Sequence, residues 1–394
     1  MYTLKFLKKV RSELEAPREE RVFGSGWIAG SLGILAGLTG LSMVIVLRNP
    51  SLTSVPQLSV IQQNALFKPF LYFCLISGFA LAALSLMLRR DKTLGAAAMV
   101  ATLLATMIGS LPAHRDFQLQ GMFFGLDFFI LNVLFTGALF IPIERLFARH
   151  KEQTVFREEW REDLFYYLVS SLFVQILTYL TLAPSNFVIQ NQDLSAMRGW
   201  VRDLPWIVQL IAIMLLTDLA QYWLHRAFHR VPFLWGFHAV HHSARSMDWM
   251  AGARMHVLEI IVLRSVTATP ALVIGFDESA LQGYMLVVYV SSTFIHSNVG
   301  ANFGFLEKIL VFPRFHHWHH GVDKEAIDVN FAIHFPFLDR LFGTYHLPKA
   351  QWPSGYGIAG HPVPRGYWQQ LLYPFRRTRP GEAVLERLAE TQQK

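Results

Sequence analysis

A single cysteine, Cys74, in 394 residues excludes an internal disulfide and any cysteine-ligated iron–sulfur cluster. Charged residues are also scarce: at 16% they fall below the roughly one in four of a soluble domain. No stretch outside the apolar segments is long enough to bury a large core of its own. The chain carries no glycine-rich GxGxxG fingerprint in a nucleotide-binding context and no haem-binding domain, so electrons for any redox chemistry are expected from outside it. Residues 1–22 are too charged for a signal peptide, and the apolar run that follows has no evident cleavage site, so the first span is expected to be retained. The net charge of +7 comes from Lys and Arg in short clusters beside apolar runs rather than on one folded face, which argues against a nucleic-acid partner. Repeats, low-complexity tracts and long linkers are lacking too.

What is present is hydrophobic sequence of spanning length. Runs lie at roughly 25–47, 68–88, 93–111, 123–143, 164–182 and 205–224, and two more, 257–276 and 280–295, read as a hairpin. The expectation is an all-α, polytopic membrane helical bundle of about eight membrane segments, hairpin included, with a cytosolic histidine-rich helical cap. Residues 1–150 read as an N-terminal cytosolic segment plus about four accessory spans, 151–374 as the catalytic domain and 375–394 as a cytosolic tail. Gly30, Gly33, Gly37 and Gly40 in the first span have the small-residue spacing that lets helices approach closely. Basic residues precede the first span (Lys5, Lys8, Lys9, Arg11, Arg18, Arg21) and follow the second (Arg89, Arg90, Lys92) and fourth (Arg145, Arg149, Lys151). The loops near Arg48, Arg115 and Arg198 carry few, so the positive-inside rule puts the ends of the even-numbered spans in the cytosol. The sixth span then exits to the cytosol at His225, and the hairpin returns there at His296. The aromatic and basic tail (Trp368, Tyr373, Phe375, Arg376, Arg377) reads either as interfacial or as simply solvated.

Nine of the sixteen histidines fall into three short clusters and one isolated position on that face. His225 and His229 are an i, i+4 pair continuing the sixth span, and such a pair points to one side of a helix. His238-Ala-Val-His241-His242 repeats the spacing and adds a neighbour; His316, His319 and His320 follow the same HxxHH pattern, and His296 ends the hairpin. Neutral imidazole binds iron, zinc, copper and nickel, and this many nitrogen donors exceeds what one four-coordinate ion needs, so two metals are expected. A zinc-protease HExxH helix is excluded because Arg226 follows His225 where the glutamate base should stand. Asp218, Tyr222, His225 and His229 share one helical stripe that begins within the bilayer. Asp218 reads as the acceptor for a ligand histidine or as a partner to another span. His256 and Glu259 open the hairpin, either as an extra ligand with its partner or as interface residues.

These residues resemble the fatty acid hydroxylase superfamily, which includes sterol desaturases, sterol methyl oxidases and alkylglycerol monooxygenase. The resemblance covers roughly residues 160–374: Asp218-Leu-Ala-Gln-Tyr-Trp-Leu-His225 through His229, His238 to His242, Phe294-Ile-His-Ser-Asn298, His316 to Gly321, Asn330-Phe-Ala and Leu338 to Tyr345. It implies two iron ions held by His225, His229, His238, His241, His242, His296, His316, His319 and His320, with dioxygen as co-substrate. Asp218, Tyr222, His256 and Asn298 would support them. His317 stands where the family often has arginine and is read as a non-ligand; His334 takes no assigned role, and Phe331-Ala332 replaces a frequent Tyr-Gly. The implied activity is hydroxylation of a lipid C–H bond (sterol, fatty acyl or ether lipid), fed by a separate reductase with a ferredoxin or b-type cytochrome. A desaturase is its nearest rival, and a metal transporter or an inactive lipid-binding relative are the readings of other classes. The implied location is a multi-pass membrane protein, in the inner membrane of a bacterium or the endoplasmic reticulum of a eukaryote, with its site on the cytosolic face.

Overall fold

The computed structural model describes residues 2–48, 64–110, 126–360 and 362–376. The loop around Arg115, the start of the fourth expected span (residues 123–125) and the tail beyond Arg376 lie outside the described residues. Among those described the fold is all-α, without strands; one isolated bridge joins Gly321 to Tyr356. Two compact units divide the chain: Met1–Phe156 with Ser171–Gln175, and Arg157–Ser170 with Ile176–Lys394.

In the first unit, α1 (Tyr2–Leu14) precedes the apolar helices α2 (Trp27–Arg48), α3 (Phe67–Leu88), α4 (Thr93–Ser110) and α5 (Leu126–Leu146). α2 packs on both α3 and α4 through its glycines. A Cβ on Gly37 would come within 3.0 Å of the Ala98 carbonyl oxygen, and one on Gly78 within 3.1 Å of the Gly37 nitrogen, so neither position admits a side chain without moving backbone.

The second unit holds the site. Its elements are α6 (Trp160–Leu172) as far as Ser170, α7 (Val174–Asn191) from Ile176, α8 (Ser195–Arg202), α9 (Trp206–Arg230), α10 (Pro232–His241), α11 (Val257–Ile274), α12 (Glu278–His296), α13 (Pro313–His319), α14 (Phe337–Leu341) and α15 (Tyr367–Leu372). α9 is the axis: α11 and α12 both pack against it, and α12 carries α13. The end remote from the histidines is locked by Gln209, whose amide donates to the carbonyls of Arg202 and Leu204 (3.2 and 2.8 Å) and whose oxygen accepts the Asp277 N–H (2.8 Å). That ties the α8–α9 corner to the hairpin turn, where Gly275 takes the left-handed C-cap at φ 82° and Asp277 caps α12.

Among the described residues, five helices are long and apolar enough to cross a membrane: α2, α3, α5, α9 and α11. The chain is therefore an integral membrane protein, with some of the eight expected segments taking other forms. The fifth is a pair, α6 and α7, bent by 65° at the break beside Phe173; the third, α4, is a shorter apolar helix, and the eighth, α12, falls outside the apolar class.

Candidate metal centre

The histidines converge from four elements. α9 brings His225 and His229 on its last turns, α10 brings His238 and His241 with His242 as its C-cap, α12 ends on His296, and α13 brings His316 and His319 with His320 as C-cap. Two sharp turns make this possible. Val231 is extended and Pro232 opens α10 with its φ already set, so α10 folds back beside the end of α9; Pro313 opens α13 in the same way.

The ring nitrogens form two groups, each with its ligand atoms within 4.8 Å of one another: His225, His229, His238, His242 and His319 in one, His241, His296, His316 and His320 in the other. Each HxxHH helix serves both. On α10 the i, i+4 pair His238 and His242 goes to the five-imidazole pocket and His241 to its neighbour; on α13 the pair His316 and His320 goes to the four-imidazole pocket and His319 crosses over. Residues four apart lie on one stripe of a helix, while the residue three on from the first lies to one side of it, so this pattern lets one helix face two adjacent ions. The pockets adjoin where His242 stacks on His320 at 4.3 Å between ring centres.

Proton placement shows what the pockets suit. The Nδ1 atoms of His225, His319, His241 and His296 lie 2.9, 2.8, 3.0 and 2.6 Å from the carbonyl oxygens of Phe331, Val329, Arg254 and Ser292, and that of His238 lies 2.5 Å from Glu259 Oε1. Carbonyl and carboxylate oxygens accept, so these Nδ1 atoms donate, and the lone pair of each neutral ring is left on Nε2. Nε2 lone pairs then meet each other at 3.0 Å for His225 to His238 and 3.2 Å for His241 to His296. A second proton cannot relieve the repulsion, because burial, reinforced by neighbouring histidines, holds the pKa of His238, His241, His316 and His319 well below the ordinary value. Four further buried ring nitrogens, His229 Nε2, His319 Nε2, His316 Nδ1 and His320 Nδ1, have no hydrogen-bond partner among the described residues. Converging, unprotonated donors in a buried space are what a cation satisfies. Nitrogens set at right angles about 2.1 Å from a common ion lie about 3.0 Å apart, which the observed spacing matches. The group of five nitrogens exceeds the four ligands of a closed tetrahedral zinc site.

The expected supporting residues divide. Asp218 touches no ligand histidine. It sits two turns below His225, and its carboxylate accepts the backbone N–H groups of Ile333, His334 and Phe335 at 2.8, 3.2 and 2.7 Å. Glu259, in the first turn of α11, orients His238, and Asp328 Oδ1 lies 3.4 Å from His229 Nδ1. Tyr222 Oη meets Thr344 Oγ1 at 2.8 Å, and Thr344 donates to Asp339, whose carboxylate also accepts the Phe331 and Ala332 N–H groups. Burial raises the Asp339 pKa to about 6 against those hydrogen bonds. Asp218, Tyr222, Thr344 and Asp339 together hold the 329–335 loop, whose Val329 and Phe331 carbonyls orient His319 and His225. Asp339 and Thr344 were legible only as members of the Leu338 to Tyr345 motif, without a role.

His256 caps α11 by accepting the Leu258 N–H on Nδ1, its Nε2 faces the Leu371 carbonyl at 3.0 Å, and it joins neither nitrogen group. Asn298 is buried two residues beyond His296. His317 pairs with Tyr356 Oη and the Ser297 carbonyl, and His334 faces Tyr284 Oη at 3.4 Å; both lie outside the two groups. Replacing Glu259 by glutamine is expected to weaken metal binding in the five-imidazole pocket about 10–100-fold, the usual cost of losing an outer-shell carboxylate. A metal titration against the unchanged second pocket checks it.

Residues 210–344, which contain all nine histidines, match the family model described as fatty acid hydroxylase. The chain is 28% identical over 178 residues to ornithine lipid hydroxylase of Rhizobium tropici, covering 45% of this chain and 54% of that protein. It is 32% identical over 161 residues to human alkylglycerol monooxygenase, covering 41% and 35% respectively. A Dictyostelium discoideum protein carrying the name methylsterol monooxygenase is 27% identical over 228 residues, 55% of this chain and 82% of that one. The chain thus spans about half the length of the first of these relatives and about a third of the second. No solved structure matches significantly.

Proposed function

We propose that this chain, whose residues 210–344 match the fatty acid hydroxylase model, is a membrane-bound di-iron oxygenase that hydroxylates a C–H bond of a lipid with dioxygen. The observation that carries the reading is the pair of adjoining pockets with five and four inward-facing imidazole nitrogens. Relatives named for ornithine lipid, alkylglycerol and methylsterol support a lipid as substrate.

In this reading His225, His229, His238, His242 and His319 hold one iron, and His241, His296, His316 and His320 hold the other. Bound iron supplies dioxygen activation and the oxidising power that side chains lack. The chain's own part is to present neutral, correctly oriented rings and to keep water out. Glu259 and the carbonyls of Phe331, Val329, Arg254 and Ser292 do the first by taking the Nδ1 protons. Aromatic side chains do the second: fully buried Phe331 presents its ring to His225, His229 and His319 at 5.4, 5.1 and 5.7 Å, and Trp235 covers His229 and His242 at 5.1 and 5.5 Å. The pockets sit at the end of α9, so a lipid tail reaches them sideways from the bilayer. Electrons come from a separate cytosolic donor, a reductase with a ferredoxin or b-type cytochrome.

The test compares lipid extracts from cells carrying the intact protein and His241→Ala, grown under air, under oxygen-18 and without oxygen. A lipid bearing one labelled hydroxyl, absent from the variant and from the anaerobic culture, is the expected product. A new double bond instead would make the same site a desaturase. An unchanged profile under strict anaerobiosis would contradict dioxygen chemistry altogether.

A further inference from the structure

A charged network in the second unit has no part in holding metal, yet it reaches the four-imidazole pocket through backbone. It consists of Arg157, Glu159 and Asp163 at the start of α6, and Asp248 and Arg254 in the strap between α10 and α11. All five are buried, Asp163 completely. Arg157 forks onto Asp248 (Nε to Oδ2 2.8 Å, Nη2 to Oδ1 3.1 Å) and reaches Asp163 Oδ2 with the same Nη2. Asp163 gives its other oxygen to Arg254 Nε at 2.6 Å, and Arg254 Nη2 reaches Glu159 Oε2 at 3.2 Å. Asp248 in turn accepts the Met250 and Ala251 N–H groups, both at 3.0 Å, and so caps the 3-10 turn Ala251–Ala253.

The strap pinned in this way touches two histidines, both of the same pocket. The Arg254 carbonyl accepts the His241 Nδ1 proton at 3.0 Å. Gly252 lies against His296 so closely that a Cβ would stand 3.0 Å from Nδ1 and 3.2 Å from Cγ. Buried ion networks cost more desolvation than well-packed apolar residues of the same volume, so their benefit is sought in the geometry they enforce. Here that geometry is the direction of one carbonyl.

We infer that the Arg157–Asp163–Arg254 clasp, with Glu159 and Asp248, positions His241 and His296 and so sets metal affinity in the four-imidazole pocket while leaving the five-imidazole pocket unaffected. The inference rests on the two-metal reading above. Asp163 is the hinge of the clasp, because it hydrogen-bonds both arginines, whereas Glu159 hydrogen-bonds Arg254 and stands 3.6 Å from Arg157 Nη1. It is a positioning residue and contacts no metal or substrate.

The full-length protein in detergent, stripped of metal, is titrated anaerobically with ferrous iron. The intact protein is expected to bind two ions per chain, and fewer than two would defeat the two-metal reading itself. Asp163→Asn is expected to bind one ion as tightly as the intact protein and the other about 10–100-fold more weakly. In a His319→Ala background, where the four-imidazole pocket holds the remaining ion, Asp163→Asn weakens that ion by the same factor. In a His316→Ala background, where the five-imidazole pocket holds it, the change has no effect. Unchanged isotherms, or equal weakening of both ions, would overturn the inference. Glu159→Gln, which spares both Asp163 bridges, gives the same pattern in milder form. If neither variant folds, the clasp is structural rather than positioning and the inference fails.

Discussion

His241→Ala and His319→Ala are each expected to leave one iron of two in place and to reduce lipid oxidation more than about 100-fold, beyond the cost of an outer-shell loss. The two losses come from different pockets, although both residues occupy the same place in an HxxHH run. The combinations discriminate. His241→Ala with His316→Ala should still hold one iron, since both lie in the four-imidazole pocket. His241→Ala with His319→Ala should hold none. The adjacent residues His241 and His242 should likewise behave as members of different pockets, because one step along a helix turns the side chain by about 100°. If each double variant retained the same amount of iron, the division of ligands between pockets would be wrong.

The second large effect belongs to a residue that touches no ligand histidine. Asp218→Ala leaves three buried backbone N–H groups, those of Ile333, His334 and Phe335, without an acceptor. Each unsatisfied group costs about 1–3 kcal/mol. The sum is comparable with the roughly 5–15 kcal/mol that holds a whole domain folded. A steep fall in folded yield and in the thermal midpoint of solubilised protein is therefore expected, together with loss of iron, since the same loop turns His225 and His319. Asp218→Asn keeps one carbonyl acceptor and should lose less. A thermal midpoint unchanged in Asp218→Ala would show that the loop is held by other contacts.

These two cases mark how far residues alone lead. Spans read from hydropathy reappear in α2, α3, α9 and α11 because in a bilayer a long apolar run has few alternatives to a helix. The break at Phe173 was not read, because residues 164–182 pass as one apolar run of spanning length although Ser170, Ser171 and Gln175 lie beside the 65° bend. The nine histidines stood out because their spacing is helical and their clusters fall on one face. How they divide between two pockets depends on how α10 and α13 face each other, which no local pattern encodes. Asp218 drew attention as a carboxylate on the histidine stripe, yet what meets it is a loop more than a hundred residues later in the chain. Glu259 plays the part expected of Asp218 because α11 runs alongside α9, a pairing that emerges only in three dimensions.

Iron X-ray absorption with metal analysis, on intact protein purified from membranes supplied with iron, bears most directly on whether the inward-facing rings hold a pair of irons. Two irons per chain in a nitrogen-rich shell with imidazole scattering and no sulfur is the expected result. Protein that folds, keeps its helices and binds no metal would contradict it.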